Sequence, residues 1–244
     1  ATCGWLLTSD PAGLLTSLRR QPVLAVLRCQ DPNEARCQLD QLLAAGLVHV
    51  ELAVRADAAW VAMARDLRHA YPALRFGAAS VCTAEALQAV VEAGLAYAVS
   101  PMLDPALLQQ ARAAAITLVP GVFTPTEVAL AVRCGAAAVK LFPAAALGPG
   151  YWRSLAGPLA PLPFCIAAGG LGVRDVPHWL NAGVDAVALG GQLFERSADV
   201  DRAESPIDAS MAGGVLRLDP DLETLLAEPF TPLTAPGDRQ VLST

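Results

Sequence analysis

Residues 133–143 read RCGAAAVKLFP. A glycine closes one helical pattern at Gly135, an apolar run follows, and a lysine, Lys140, stands near its end, three residues before a proline. The same succession of helix, glycine and strand occurs in AAGLVHVEL (44–52), EAGLAYAVS (92–100) and NAGVDAVAL (181–189), with Gly46, Gly94 and Gly183 at the equivalent place. Glycine ends a helix in the left-handed conformation without steric cost, so the recurrence marks one repeated unit. Apolar runs begin near residues 22, 48, 74, 95, 116, 137, 163 and 184. Helix starts lie between them: Asp31-Pro32-Asn33-Glu34 and Thr124-Pro125-Thr126-Glu127 each supply an N-cap, a first-turn proline and a glutamate that can reach back.

Continuous apolar strands alternating with helices imply a parallel sheet covered by helices. Eight such units in 244 residues close most naturally into a TIM (β/α)8 barrel. An open doubly wound sheet is the weaker alternative, because no GxGxxG follows the first strand. The expectation is therefore an α/β barrel over residues 1–196, opened by a short helix from Asp10 to Arg20. Residues 197–244 form an irregular C-terminal extension with no separate domain. Within it, Asp219-Pro220-Asp221-Leu222-Glu223 reads as the start of one short helix reaching about Ala227.

Composition excludes several function classes. Hydrophobic residues make up 54% and charged residues 16%, with a net charge of −6, so no basic footprint for nucleic acid exists. Glycine, proline or charge interrupts every apolar stretch, which leaves no span of about 20 residues to cross a membrane. The opening ATCGWLLTSD has neither the basic lead nor the apolar core of a signal peptide. Six cysteines without a CxxC pair read as reduced thiols, which favours a cytoplasmic location. His49, His69 and His178 lack ligand spacing, so no metal site is expected.

Lys140 is the only lysine; the other sixteen basic residues are arginines. A guanidinium does not lose its proton in a protein, whereas a desolvated lysine does and becomes a nucleophilic amine. Burial among Val139, Leu141 and Phe142 would push it that way. The bland alternative is a lysine that snorkels to solvent or pairs with a carboxylate.

Chemistry in such barrels sits at the C-terminal ends of the strands. That rule gathers Arg28, Glu51, Arg55, Ser80, Pro101, Lys140, Phe142 and the diglycines Gly169-Gly170 and Gly190-Gly191 at one mouth. Glu51, two residues after His49, points to the same face as that histidine, and a carboxylate in a barrel interior is costly unless paired or protonated. An ion pair of Glu51 with Arg55 or Arg28 remains an alternative to a chemical role. Diglycines after the last two strands are either tight turns or anion sites built from backbone N–H groups.

This set of motifs resembles the 2-keto-3-deoxy-6-phosphogluconate (KDPG) aldolases and the related 4-hydroxy-2-oxoglutarate (KHG) aldolases from about Pro22 to Phe194. VKLFPA (139–144) is similar to that family's Schiff-base signature, and PGVFTPTE (120–127) to its fifth strand and helix. VSPMLDP (99–105) and ELAVR (51–55) fit as well. The resemblance implies that Lys140 forms an imine with pyruvate and that Glu51 moves protons. It implies that Arg55 and Ser80 hold the pyruvate carboxylate, and that Pro101 and Phe142 shape the pocket. Gly169, Gly170, Gly190 and Gly191, with the amide of Gln192, would receive a distal phosphate. The substrate would be a small 2-keto acid, the assembly a homotrimer, and no cofactor or metal would take part.

Several positions depart from the family pattern. Ala168-Gly169-Gly170 stands where the family has Thr-Gly-Gly, and Gln192 where it has serine, which removes two hydroxyl donors from the phosphate side. GAASV (77–81) replaces GAGTV, so Ala79 narrows one edge and Ser80 stands for threonine. The primary expectation is a class I aldolase that cleaves KDPG to pyruvate and glyceraldehyde 3-phosphate. The same imine would also serve KHG or the decarboxylation of oxaloacetate. A reading of another class is a non-catalytic aldolase-like assembly module whose tail contacts a partner.

Overall fold

The computed structural model describes residues 11–196 and 216–230. Nine strands form one parallel sheet: β1 (Val23–Leu27), β2 (His49–Ala53), β3 (Arg75–Ala79), β4 (Tyr97–Val99), β5 (Thr117–Val119), β6 (Gly121–Val122), β7 (Ala138–Leu141), β8 (Phe164–Ala168) and β9 (Ala186–Leu189). The sheet order is β5-β4-β3-β2-β1-β9-β8-β7-β6. Its two edges are consecutive pieces of one strand, interrupted at Pro120, which has no N–H to donate to a ladder. β5 pairs with β4 and β6 pairs with β7, so the fifth expected strand closes the ring. The TIM-like barrel expected from the repeat is thereby observed, with the strand starts within two residues of the expected ones.

The helices form where the repeat places them. They are α1 (Pro11–Arg20), α2 (Pro32–Ala44), α3 (Ala58–Ala70), α4 (Ala84–Ala93), α5 (Pro105–Ala113), α6 (Pro125–Arg133), α7 (Ala144–Leu147), α8 (Pro149–Leu159) and α9 (Val176–Asn181). Gly46, Gly94, Gly135 and Gly183 all have φ between +69° and +96°, the conformation their place after a helix demands. At α6 the capping box is complete: Glu127 accepts from the Thr124 N–H at 2.7 Å, while the Thr124 hydroxyl accepts from the Glu127 N–H at 3.3 Å.

Period-two alternation divides the strands between two cores. Ala25, Leu27, Val50, Leu52, Val139 and Leu141 face the helices, in the larger cluster. Leu24, Tyr97, Val99, Val119, Ala138, Phe164, Ile166 and Ala168 face inward, where Leu14 and Leu18 of α1 join them and plug one end of the barrel. Arg75 donates to the Gly13 carbonyl at 2.8 Å and Ser17 Oγ meets His49 Nε2 at 2.8 Å, which ties α1 to that end. Burial and the Arg75 charge push His49 down to about 4, so its imidazole is neutral there.

Part of the C-terminal extension is regular. β10 (Phe194–Arg196) pairs antiparallel with β11 (Leu216–Leu218). The Gln41 side chain of α2 donates to the Leu216 carbonyl at 3.0 Å and accepts from the Leu218 N–H at 2.9 Å. The expected short helix is α10 (Asp221–Ala227), held by the fully buried Leu222 and by an Arg174–Asp221 ion pair of 2.8 Å. β11 was not expected, because a three-residue strand with one exposed and two half-buried positions carries no periodic signal. Asp10 and residues 197–215 and 231–244 of the two expected terminal segments lie outside the described residues.

Close approach of backbones fixes one glycine at the mouth. A Cβ on Gly121 would lie 2.2 Å from the Pro101 carbonyl carbon and oxygen, because the loop after β4 crosses directly over β6. Gly121→Ala is expected to destabilise the protein by at least about 3 kcal/mol, measured by urea denaturation. A change below about 1 kcal/mol would mean that the two backbones are not locked together.

Candidate active site

Inward-facing positions place Glu51 and Lys140 in the barrel. Glu51 follows His49 on β2, and Lys140 follows Ala138 on β7, each at the next position of the inner face. In the ring order β2 and β7 lie on opposite sides. Glu51 is 1% exposed and Lys140 7%, so neither snorkels to bulk water. Val139 and Leu141 contribute nothing to this burial. They lie on the outer face against the helices, and the expectation that they desolvate the amine is corrected by the alternation of the strand. Phe142 does contribute: Lys140 Nζ lies 4.7 Å from the centre of its ring.

The two groups perturb each other. Burial raises the Glu51 carboxyl to about 7, against the opposing pull of the Lys140 and Arg28 charges. Burial also lowers the Lys140 ammonium; Arg28 acts in the same direction, while Glu51 and Cys82 oppose it. Neither oxygen of Glu51 has a hydrogen-bond partner among the described residues. The ion pair with Arg55 or Arg28, kept open above, is therefore absent, and a buried carboxyl with four lone-pair positions faces the interior unsatisfied. Gly77 lies opposite Glu51 in the β2–β3 register, and the Tyr97 ring occupies the space where a Gly77 Cβ would be. Tyr97 thus floors the Glu51 side of the pocket.

The expected carboxylate-binding pair is rearranged. Arg55 forms an ion pair with Asp57 at 3.1 Å, and Asp57 also caps α3 through the Trp60 N–H at 2.7 Å. Ser80 instead accepts from Arg28 Nη1 at 3.5 Å. Ser80 has φ +64°, a left-handed conformation that costs a serine about 1 kcal/mol or more and turns the chain at the end of β3. Arg28 at the end of β1 and Ser80 at the end of β3 thus meet across β2, which carries Glu51 between them.

Beyond Phe142 lies the other end of the mouth. Gly169 and Gly170 have φ of +97° and +77°; a Cβ on Gly169 would meet the Phe142 ring at 2.9 Å, and one on Gly170 would meet Ala145 Cβ at 2.8 Å. This first diglycine is required by the turn itself. Gly190 and Gly191 are different, because added Cβ atoms would meet nothing within 4 Å. Gln192 is exposed, with its Oε1 over Gly172. Pro101, half-buried, closes the side above β6.

Sequence reading missed two groups. Tyr97 looked like an ordinary strand residue, and Cys82 an inert thiol. Tyr97 reaches the pair through the β2–β3–β4 register and Cys82 through the loop after β3, neither of which a local pattern records.

A parallel α/β barrel with a desolvated lysine facing an unsatisfied carboxyl across its interior defines the class. The family follows from comparison: the KDPG and KHG aldolase model matches residues 15–205, and the chain belongs to this family. It is an aldolase, an enzyme of the lyase type. The chain is 30% identical over 199 residues to the 2-dehydro-3-deoxy-phosphogluconate aldolase of Pseudomonas aeruginosa, covering 81% of this chain and 89% of that one. It is 29% identical over 182 residues to the 2-dehydro-3-deoxy-6-phosphogalactonate aldolase of Escherichia coli, covering 74% and 88%. A crystal structure of the Zymomonas mobilis 2-keto-3-deoxy-6-phosphogluconate aldolase with 3-phosphoglycerate matches with a TM-score of 0.64 at 28% identity, over 73% of this chain and 84% of that one.

Proposed function

We propose that this aldolase works through a Schiff base on Lys140 and cleaves the C3–C4 bond of a 2-keto-3-deoxy sugar acid, releasing pyruvate and an aldehyde. The observation that carries the proposal is the buried pair: a lysine pushed toward its neutral form opposite a carboxyl held near neutrality, at about 7. An acid–base group works best when its pKa lies near the operating pH. The relatives named above act, by their names, on two such sugar acids, and both share the 2-keto-3-deoxy end.

The neutral Lys140 amine attacks C2 of the substrate, and Glu51 gives a proton to the carbonyl oxygen and then helps it leave as water. The iminium that results accepts the C3–C4 bonding electrons once the C4 hydroxyl loses its proton to Glu51. An aldehyde departs and an enamine remains on Lys140. Protonation at C3 and addition of water return the amine and release pyruvate, so the water lost in the first half is recovered in the second. Arg28 and Ser80, already in contact, hold the C1 carboxylate. Arg55 joins them only by leaving Asp57. Pro101, Phe142 and Tyr97 keep water from the imine.

Borohydride added with pyruvate should fix one 1-carboxyethyl group on the protein, and peptide mass mapping should place it on Lys140. A protein that stays unmodified under these conditions, or carries the group elsewhere, ends the proposal.

A further inference from the structure

Gly77 leaves a gap in the inner face of the barrel, and a phenol fills it. Glu51, Gly77, Tyr97 and Thr117 stand in register on β2, β3, β4 and β5, so they share one level of the interior. A Cβ on Gly77 would run into Tyr97 Cζ and the two ring carbons beside it. The ring therefore leans from β4 across β3, with its hydroxyl end toward Glu51 and away from Thr117 on β5. A side chain at position 77 would close this path.

Tyr97 is fully buried, and its hydroxyl has no hydrogen-bond partner among the described residues. Burying a hydroxyl without a partner is costly. Both Glu51 oxygens are in the same condition. Each group supplies what the other lacks, since the phenol can donate and a carboxylate only accepts. Burial, and after it the Glu51 charge, hold the phenol well above its ordinary range while Arg75 opposes them, so the donor keeps its proton. Hydrogen bonds to an acid–base group are often loose in the free enzyme and tighten in the reacting complex.

We infer that Tyr97 is a positioning residue for the aldol chemistry: its hydroxyl donates to the carboxylate that Glu51 becomes on giving up its proton, and holds that group facing Lys140. This rests on the Schiff-base reading above. The phenol keeps its own proton while Glu51 exchanges one with the substrate, so Tyr97 steadies the ionised partner and is not itself consumed.

The other charges near Glu51 come from four elements. Lys140 on β7 and Arg28 after β1 draw its carboxyl downward. His49, two residues earlier on β2, is neutral above about pH 4. Arg75 on β3 acts on His49 and Tyr97, and Cys82 after β3 acts on Lys140. Tyr97→Phe alters none of these groups; it removes one hydroxyl and leaves the ring that covers Gly77.

The borohydride adduct with pyruvate is made first on the wild-type protein, and its absence overturns both readings together. With the adduct in hand, Tyr97→Phe is assayed for cleavage of 2-keto-3-deoxy-6-phosphogluconate. Its kcat should fall by about tenfold, as loss of one charge-assisted hydrogen bond implies, with KM within about twofold of wild type. The basic limb of kcat/KM should move up by about one pH unit, because the carboxylate has lost a donor that favoured it. In the Glu51→Gln background the same change should alter kcat by less than about twofold. The tyrosine ultraviolet absorption of the wild type should shift through about pH 7 as Glu51 ionises, and should not do so in Glu51→Gln. An adduct-forming wild type without that shift overturns the inference even where Tyr97→Phe fails to fold, as does a folded Tyr97→Phe enzyme whose basic limb stays in place.

Discussion

Lys140→Arg leaves the positive charge and most of the side-chain volume in place, yet turnover should fall by about 10⁴-fold or more, equivalent to roughly 5.5 kcal/mol of lost barrier lowering. The guanidinium keeps its proton, so it has no lone pair with which to attack a carbonyl. Burial at 7% exposure lowers the lysine ammonium, and this gain is available only to a group that can deprotonate. Lys140→Met, similar in size and uncharged, should lose activity to the same degree while being more stable than the parent, because it removes a charge from an apolar interior. Steady-state pyruvate release, coupled to a dehydrogenase, reads the first effect; urea denaturation reads the second. An arginine variant retaining a tenth of wild-type turnover would show that the amine is not the nucleophile.

Glu51→Gln should lower kcat by about 10²- to 10⁴-fold, the range typical of a lost general acid–base group. It should also remove the basic limb of the pH profile of kcat/KM, which in the wild type falls through about pH 7 as Glu51 in the free enzyme loses the proton it gives to the carbonyl oxygen. Stability moves the other way. The folded protein holds the Glu51 proton up to about pH 7, whereas the unfolded chain releases it near about 4.3. The contribution of this group is therefore most favourable below about pH 4.3 and is lost as pH rises through 7. At pH 8 the buried charge costs on the order of 3 kcal/mol, and the amide carries no such cost. The variant should be more stable than wild type at pH 8 and nearly equal at about pH 4. Equal stability differences at both pH values would contradict the raised carboxyl.

These two buried ionisable residues cost stability. The neighbouring inward positions Leu24, Ala138, Phe164 and Ile166 are apolar and buried, so the pair is embedded in a layer that would be more stable without it. The strained φ of Ser80 belongs to the same pattern, since it lies in the loop that meets Arg28.

Much of the barrel was legible because its signals are local. A glycine after a helix, a capping box such as Thr124 to Glu127, and an apolar run of five residues each act within one turn or strand, and each was found where expected. The lone lysine and the spacing of Glu51 from His49 likewise needed no contact map. Closure of the ring was different: Pro120 breaks the fifth strand, and only the three-dimensional path shows its halves pairing with β4 and β7.

What the chain alone determined was therefore the repeat, the strand positions and the choice of Lys140 and Glu51 as candidate groups, because backbone conformation, capping and residue type are read from neighbours a few residues apart. Tertiary structure decided the partners. Arg28 rather than Arg55 meets Ser80, Asp57 holds Arg55, and Val139 and Leu141 face away from the amine. It also brought Asp219 and Asp221 beside Gln192, a meeting of distant segments fixed by strand pairing and the burial of Leu222. Such long-range choices depend on which surfaces pack together, and no short window of sequence contains that information.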